Sequence, residues 1–496
     1  MSYTLGVDIG TFESKGVLVD ESGEVIAQAA RPHEMIVPQA GWAEHRPDED
    51  WWGDFVFITK KLLSDSGIDP AAIKAIGCSA IGPCMLPVDA DGNALMNGVL
   101  YGVDNRAAVE VDELTAKIGE EVLLARCGNA LTSQSVGPKI LWLKRNRPEL
   151  FERTDKIHTS TTYIVRKLTG RTVIDHYTAA NFSPLYDIET QAWTTELSDE
   201  IVDADMLPDI LWSSEIAGEV TAEAAAVTGL AVGTPVLTGT IDAAAEAVSV
   251  GVLAPGDMMI MYGSTIFIIM PTESRVSDPS LWYAPGLFKG QHACMAGLAT
   301  SGTLTHWFRD RFAQELSKDE AFPTLAAEAA DSPVGANGLI LLPYFSGERT
   351  PIHDPMAKGT LFGLNLTHSR GDIFRAFLEG IALGTGHVIE TYRDAGAPPQ
   401  RLFAVGGGTK NAAWLQATSD IAGQAQVVKE RTIGASYGNA FLAAVAVGAA
   451  EVSDIQTWNP VAGNVEPDGS TAAIYEKHLD LFKRLYGQTK ELMAAI

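Results

Sequence analysis

One strand–turn–strand pattern is written twice in this chain. Leu5-Gly6-Val7-Asp8-Ile9 is an apolar run, Gly10-Thr11 a turn, and Ser14-Lys15-Gly16-Val17-Leu18-Val19-Asp20 a second run. Glu21-Ser22-Gly23-Glu24 turns the chain again before Val25-Ile26-Ala27, so the segment reads as an antiparallel meander. The same design returns as Met258-Met259-Ile260-Met261-Tyr262, a Gly263-Ser264-Thr265 turn, and Ile266-Phe267-Ile268-Ile269-Met270. Two hairpins of one design predict two related domains. Gly251-Val252-Leu253-Ala254-Pro255-Gly256 breaks the helical pattern between them, giving expected domains of residues 1–250 and 251–496.

The chemistry expected of such turns is phosphate binding. Glycine lets the backbone approach an oxyanion, successive N–H groups point at it, and a hydroxyl adds a donor. Either turn alone reads as a plain β-hairpin. Both together, each opening a domain, point to a nucleotide held between two lobes, with Gly10, Thr11, Gly263 and Ser264 against its phosphates. A third glycine cluster follows the apolar strand Arg401-Leu402-Phe403-Ala404-Val405: Gly406-Gly407-Gly408 precedes a helix that runs from Asn411 to Ala422 and stops at Gly423. Neither GxGxxG with a downstream acid nor GxxxxGK[ST] is present, which removes the dinucleotide-fold and P-loop readings.

Charge says how phosphate must be met. The 496 residues include 36 Lys+Arg against 62 Asp+Glu, a formal charge of −26. No basic run exists to hold a nucleic acid or to anchor on a membrane, so neither is an expected partner. Any phosphate must therefore be bound locally. The apolar runs, such as residues 258–270, fall short of the ~18 residues of a spanning helix, and the N-terminus lacks a basic export leader; the expectation is a cytoplasmic protein. Cys78, Cys84, Cys127 and Cys294 form no CxxC pair and read as buried free thiols.

One carboxylate stands out. Pro235-Val236-Leu237-Thr238-Gly239-Thr240-Ile241 leads into an Ala-rich helix beginning at or near Asp242. Asp242 can simply cap that helix. Its place at the end of the first domain also suits catalysis: phosphoryl transfer needs a carboxylate to take an alcohol proton, Mg²⁺ across the phosphates, and fixed donors around the moving group. Asp242 is the candidate base and Asp8 the carboxylate nearest the metal.

Several longer stretches resemble one family over nearly the whole chain. Asp8-Ile9-Gly10-Thr11 with Lys15, Gly41-Trp42-Ala43-Glu44-His45-Arg46-Pro47 with Trp51-Trp52, Asp104-Asn105-Arg106, and Pro138-Lys139-Ile140-Leu141-Trp142-Leu143 are similar to motifs of the FGGY carbohydrate kinases. So are Pro343-Tyr344-Phe345-Ser346-Gly347-Glu348-Arg349-Thr350-Pro351, Lys358-Gly359-Thr360-Leu361-Phe362-Gly363-Leu364 and Leu378-Glu379-Gly380. Within the family the resemblance is greatest to the xylulokinase branch, although Gln134 and Val136 depart from the first signature. It implies an α/β fold of two actin-like (ribonuclease H-like) lobes with an interlobe cleft, and use of ATP and Mg²⁺. It implies Asp242 as base, Asp8 near the metal, and Thr11, Lys15, Gly263 and Ser264 at the phosphates. Gly302 and His306 would contact the nucleotide, and Gly407 and Asn411 the adenine. Each has a plainer role: a turn for Gly302, a helix surface for His306, a helix cap for Asn411.

The sugar pocket departs from the family pattern. Ala243 stands where an Asn or Gln usually follows the catalytic Asp, and Ile81-Gly82-Pro83 replaces Gln-Met-His. Gly82, Pro83, Asp104 and Asp242 are the expected substrate contacts. Phe12 and Glu13 replace small hydroxyl residues in the first turn, where a carboxylate would repel phosphate unless turned away or helping the metal. The expected substrate is a small sugar or polyol, foremost a ketopentose such as xylulose, with tetritols, pentitols and glycerol-like molecules as alternatives. The rival readings are an actin-like ATPase and a sugar-binding protein without kinase activity. The resemblance also admits a homodimer.

Overall fold

In the computed structural model, which describes residues 2–496, apolar runs bounded by glycine turns become strands. β1 (Tyr3–Ile9), β2 (Glu13–Asp20) and β3 (Val25–Pro32) form the first meander. β4 (Ile73–Ala80), β5 (Ile216–Glu219), β6 (Pro235–Leu237) and β7 (Thr240–Ile241) complete a sheet of order β5-β6-β4-β1-β2-β3, with β7 also on β4. β1, β6 and β7 all run parallel to β4. β1 is buried along nearly its whole length, as a strand covered on both faces must be.

The second sheet repeats the plan. Its strands are β8 (Asp257–Tyr262), β9 (Ile266–Thr272), β10 (Trp282–Pro285), β11 (His292–Leu298), β12 (Arg401–Val405), β13 (Gln426–Lys429) and β14 (Val461–Val465). They lie in the order β10-β11-β9-β8-β12-β13-β14. In both sheets the first hairpin strand is flanked by its antiparallel return on one side and a parallel strand on the other. This is the duplicated topology that the twin hairpins predicted.

The chain divides into two units. The first is Met1–Leu253 with Tyr283–Ala293 and Ile433–Pro460; the second is Ala254–Trp282, Cys294–Thr432 and Val461–Ile496. A division at residue 250 does not anticipate the late segment in the first unit, and glycines explain it. The helix Ala435–Ala446 lies directly on backbone: a Cβ at Gly6 would sit 1.9 Å from the Ser436 carbonyl oxygen, one at Gly77 2.2 Å from that of Asn439, and one at Gly438 2.0 Å from that of Ala245.

Each unit has its own core. Val7, Ile9, Phe55, Ile58, Leu62, Ile76 and Cys78 pack in the first, and Ile260, Tyr262, Ile268, Phe308, Phe377 and Trp414 in the second. All four cysteines are buried and free. Among the described residues no helix is long and apolar enough to cross a membrane.

Candidate active site

The carboxylates meet at the carboxyl ends of the parallel strands of the first unit, where open α/β sheets hold their ligands. Asp8 on β1 and Thr240 on β7 both pair with Ser79 of β4. The Ser79 hydroxyl donates to Asp8 Oδ1 at 2.6 Å and accepts from Asn439 Nδ2 at 2.7 Å. Asn439 also donates to the Val7 carbonyl at 2.9 Å, so a residue far along the chain fixes the Asp8 carboxylate. Two residues past Thr240, Asp242 is the first residue of the helix Asp242–Ser249, whose N-cap is Ile241. Its Oδ1 accepts the Ala243 N–H at 2.7 Å. The preceding segment is fixed from below: the Thr240 hydroxyl donates to Asp175 at 2.7 Å, and Thr161 donates to the Thr240 carbonyl at 2.9 Å.

Burial and crowding raise the carboxylates. Burial pushes Asp242 up to about 8, reinforced by the nearby Asp8 and Glu246 charges. Asp8 rises to about 6 through burial, opposed by Ser79 and Lys15. Glu246 rises to about 7, again through burial and the Asp8 charge. A carboxyl held this far above its ordinary value is a stronger base once ionised. Among the described residues no group of three or more His, Cys, Asp or Glu could hold a metal ion. Asp8 offers a single half-buried carboxylate, which suits Mg²⁺, a cation bound in kinases through one or two carboxylates and substrate phosphates.

Gly82 and Pro83 follow β4 beside Asp242. A Cβ on Gly82 would meet Ile241 Cγ1 at 2.9 Å, and Ile81 and Pro83 are buried, so this wall is apolar. Asp104 is elsewhere employed. It is fully buried and accepts from Ala43 N at 2.7 Å, Arg106 N at 3.0 Å, Arg106 Nε at 2.9 Å and Arg106 Nη2 at 2.8 Å. Arg106 also donates to Glu44 at 2.8 Å and stacks over Trp42, its guanidinium carbon 4.0 Å from the ring centre. Asp104 is thus the counter-ion of Arg106 and offers a sugar no open oxygen; a carboxylate two residues before an arginine carried that signal. Lys139 is buried too, donating to the Leu100 and Tyr101 carbonyls at 2.6 and 3.0 Å.

At the first turn, Glu13 pairs with Lys15 at 3.2 Å, and Phe12 is exposed. Two histidines hold the carbonyls of Gly10 and Thr11. His33 Nε2 is 3.0 Å from Gly10 O while its Nδ1 is 2.8 Å from Asp54 Oδ2. His45 Nε2 is 3.1 Å from Thr11 O while its Nδ1 accepts the Trp51 indole N–H at 3.1 Å. The rings meet edge to face, centroids 4.9 Å apart. His33 carried no sequence signal, because its role exists only once β3 lies beside β2.

In the second unit the helix Gly302–Phe312 fastens the matching turn. Gly302 N and the Ser301 hydroxyl donate to Gly263 O at 3.0 and 2.9 Å; Ser301 N and Thr303 N donate to Ser264 O at 3.1 and 3.2 Å. A Cβ at Gly302 would lie 2.4 Å from the Gly263 oxygen, so only glycine permits the contact. Gly263, Ser264 and Gly302 therefore come together. The triple glycine follows β12, which pairs with β8 in register at Met261 and Val405. Gly406 and Gly408 are packed against Tyr262 and Trp414, whereas a Cβ on Gly407 would meet nothing within 4 Å. Gly407 is the member open to a ligand. Asn411 caps the helix Ala412–Ala422 by accepting the Trp414 N–H at 3.1 Å. His306 is exposed, its ring edge-on to Phe322, and the structure does not join it to the other glycine-turn residues.

Comparison with known proteins gives the family. The N-terminal domain of the FGGY family of carbohydrate kinases matches residues 3–249, and its C-terminal domain residues 258–447. A xylulose kinase of Bacillus subtilis is 30% identical, covering 100% of this chain and 99% of that protein. A glycerol kinase of Chromobacterium violaceum is also 30% identical, over 92% and 91% of the two chains. The crystal structure of xylulose kinase from Rhodospirillum rubrum superposes with a TM-score of 0.93 at 31% identity, covering 99% of each chain. With both domains matched and the two-domain actin-like fold in place, the chain belongs to the FGGY family of carbohydrate kinases.

Proposed function

We propose that this carbohydrate kinase transfers the γ-phosphoryl group of MgATP to a hydroxyl of a small sugar or polyol, foremost a ketopentose such as xylulose, with Asp242 as the base. The observation that carries the reading is the Asp8–Ser79–Thr240 register, which sets two raised carboxylates at adjoining strand ends. Asp242 takes the proton of the attacking hydroxyl, and its Oδ1 bond to Ala243 N–H leaves Oδ2 for that proton. Asp8 would hold Mg²⁺, which neutralises charge across the phosphates when the nucleotide is bound. Thr11 and Lys15 of the first unit and Ser264 of the second would donate to phosphate oxygens, with Gly263 and Gly302, whose N–H groups are already bonded within the turn, letting the backbone come close to the nucleotide; Gly407, Asn411 and His306 would serve the nucleoside. The first unit would then supply sugar binding together with Asp8, Thr11 and Lys15 at the phosphates, and the second the remaining nucleotide contacts.

Two relatives of equal identity are named for different substrates, a ketopentose and a triol. The wall of Ile81, Pro83 and Ile241 favours a substrate that presents carbon rather than a hydroxyl there, because a polar group facing that wall would lose its water without a partner. This keeps tetritols, pentitols and glycerol as alternative acceptors. The test is sugar-dependent ADP release over ketopentoses, tetritols, pentitols and glycerol. Xylulose should give the highest kcat/KM; a panel in which nothing raises ADP release above the basal rate would sink the reading.

A further inference from the structure

We infer that His33 and His45 are positioning residues that aim the backbone N–H groups of the first turn at phosphate. In a trans peptide the N–H points opposite to the C=O of the same unit. Holding Gly10 O therefore sets the direction of the Thr11 N–H, and holding Thr11 O sets that of the Phe12 N–H. Each imidazole is itself fixed from behind. His45 Nδ1 accepts from the Trp51 indole, which has only a donor to give, so Nε2 carries the hydrogen that meets Thr11 O. His33 faces a carbonyl on one side and the Asp54 carboxylate on the other, so making both bonds requires both N–H groups. Asp54 is held in turn by the Ser14 hydroxyl at 2.7 Å and Arg31 Nε at 3.1 Å. Both imidazoles are buried, so this wall does not exchange with water.

The second unit supplies an internal comparison. There the equivalent carbonyls, Gly263 and Ser264, are likewise both held, by donors from Ser301, Gly302 and Thr303 at the start of a helix. The duplicated hairpin thus has its two turn carbonyls tied back in both copies. In the first copy no helix start serves, and two side chains do the same work.

The inference rests on the reading that the Gly10–Thr11 turn binds nucleotide phosphate, and the experiment separates the two. Binding of the ATP analogue AMPPNP and of adenosine is measured for the full chain carrying His33→Ala, His33→Gln, His45→Ala or Trp51→Phe, with Thr11→Ala and Lys15→Ala alongside. The alanine variants should lose about tenfold or more in AMPPNP affinity and keep adenosine affinity, while His33→Gln, which retains an N–H, should recover most of the loss. Trp51→Phe removes the indole donor, along with part of the buried ring, while leaving both histidines in place, and should shift AMPPNP binding in the same direction if an alanine variant does not fold. AMPPNP affinity within about twofold of the parent in folded variants, or an equal loss for adenosine, overturns the inference. If Thr11→Ala and Lys15→Ala also leave AMPPNP binding unchanged, the phosphate-turn reading falls with it; if they weaken it, only the inference falls.

Discussion

Asp242 makes opposite demands on stability and on chemistry. Its carboxyl is raised in the folded chain, so between the ordinary aspartate value and about 8 the native state holds a proton that the unfolded chain has released. That contribution destabilises the protein progressively as pH rises through this window. Asp242→Asn should therefore have a higher thermal midpoint than the parent at about pH 8, an advantage that shrinks toward about pH 4, as differential scanning calorimetry at several pH values would read. The same shift should appear in kinetics, with kcat/KM rising with pH as Asp242 ionises. Glu246→Gln removes one of the charges that raise Asp242 and should move this acid limb to lower pH. An unmoved limb would remove Asp242 or its coupling to Glu246 from the account. Asp8 and Asp242 were legible in the sequence because each ends an apolar strand beside a glycine turn or an alanine helix. Ser79, Asp175, Asn439 and His33 were not, since their roles depend on pairings made only by the tertiary fold. Asp104 was visible as a carboxylate, but its bonds to Arg106 and Ala43 were not, since the loop bearing Ala43 meets it only on folding.

Turns and strands were the most legible elements, because glycine placement and apolar runs are local signals. The hairpins, the strand Arg401–Val405, the Asn411 cap and the stop at Gly423 all stand where the residues indicated. The position of the helix Ala435–Ala446 was not legible, because nothing near it in sequence names the glycines it rests on. Those contacts make a sharp prediction: Gly438→Ala drives a methyl group into the Ala245 carbonyl and should cost ~3 kcal/mol in denaturant unfolding of the first unit. Gly407→Ala is the contrasting case. Its methyl group meets no protein atom, so the unfolding midpoint should stay near the parent value while KM for ATP rises. A Gly407→Ala variant with unchanged KM would remove that glycine from nucleotide binding.

At the scale of the molecule, one αβ plan is used twice and each copy carries a share of the chemistry. The first offers raised carboxylates and a histidine-backed turn; the second offers a helix-backed turn and an open glycine. On the proposed reading, a chain of charge −26 handles a polyanion without a basic surface because the donors would be backbone N–H groups, hydroxyls and Lys15, and the net charge bears on solubility instead. Sequence motifs carried the family because they are contiguous, whereas contacts such as Ile241 against Gly82, which the proposed function places at the sugar, form only on folding. Everything proposed for this kinase turns on Asp242 as its base. That role is tested most directly by comparing Asp242→Asn with the parent for sugar binding and for sugar-dependent ADP release. Sugar affinity should match and kcat should fall roughly 10²- to 10⁴-fold; turnover near the parent rate with sugar bound normally would rule Asp242 out as the base.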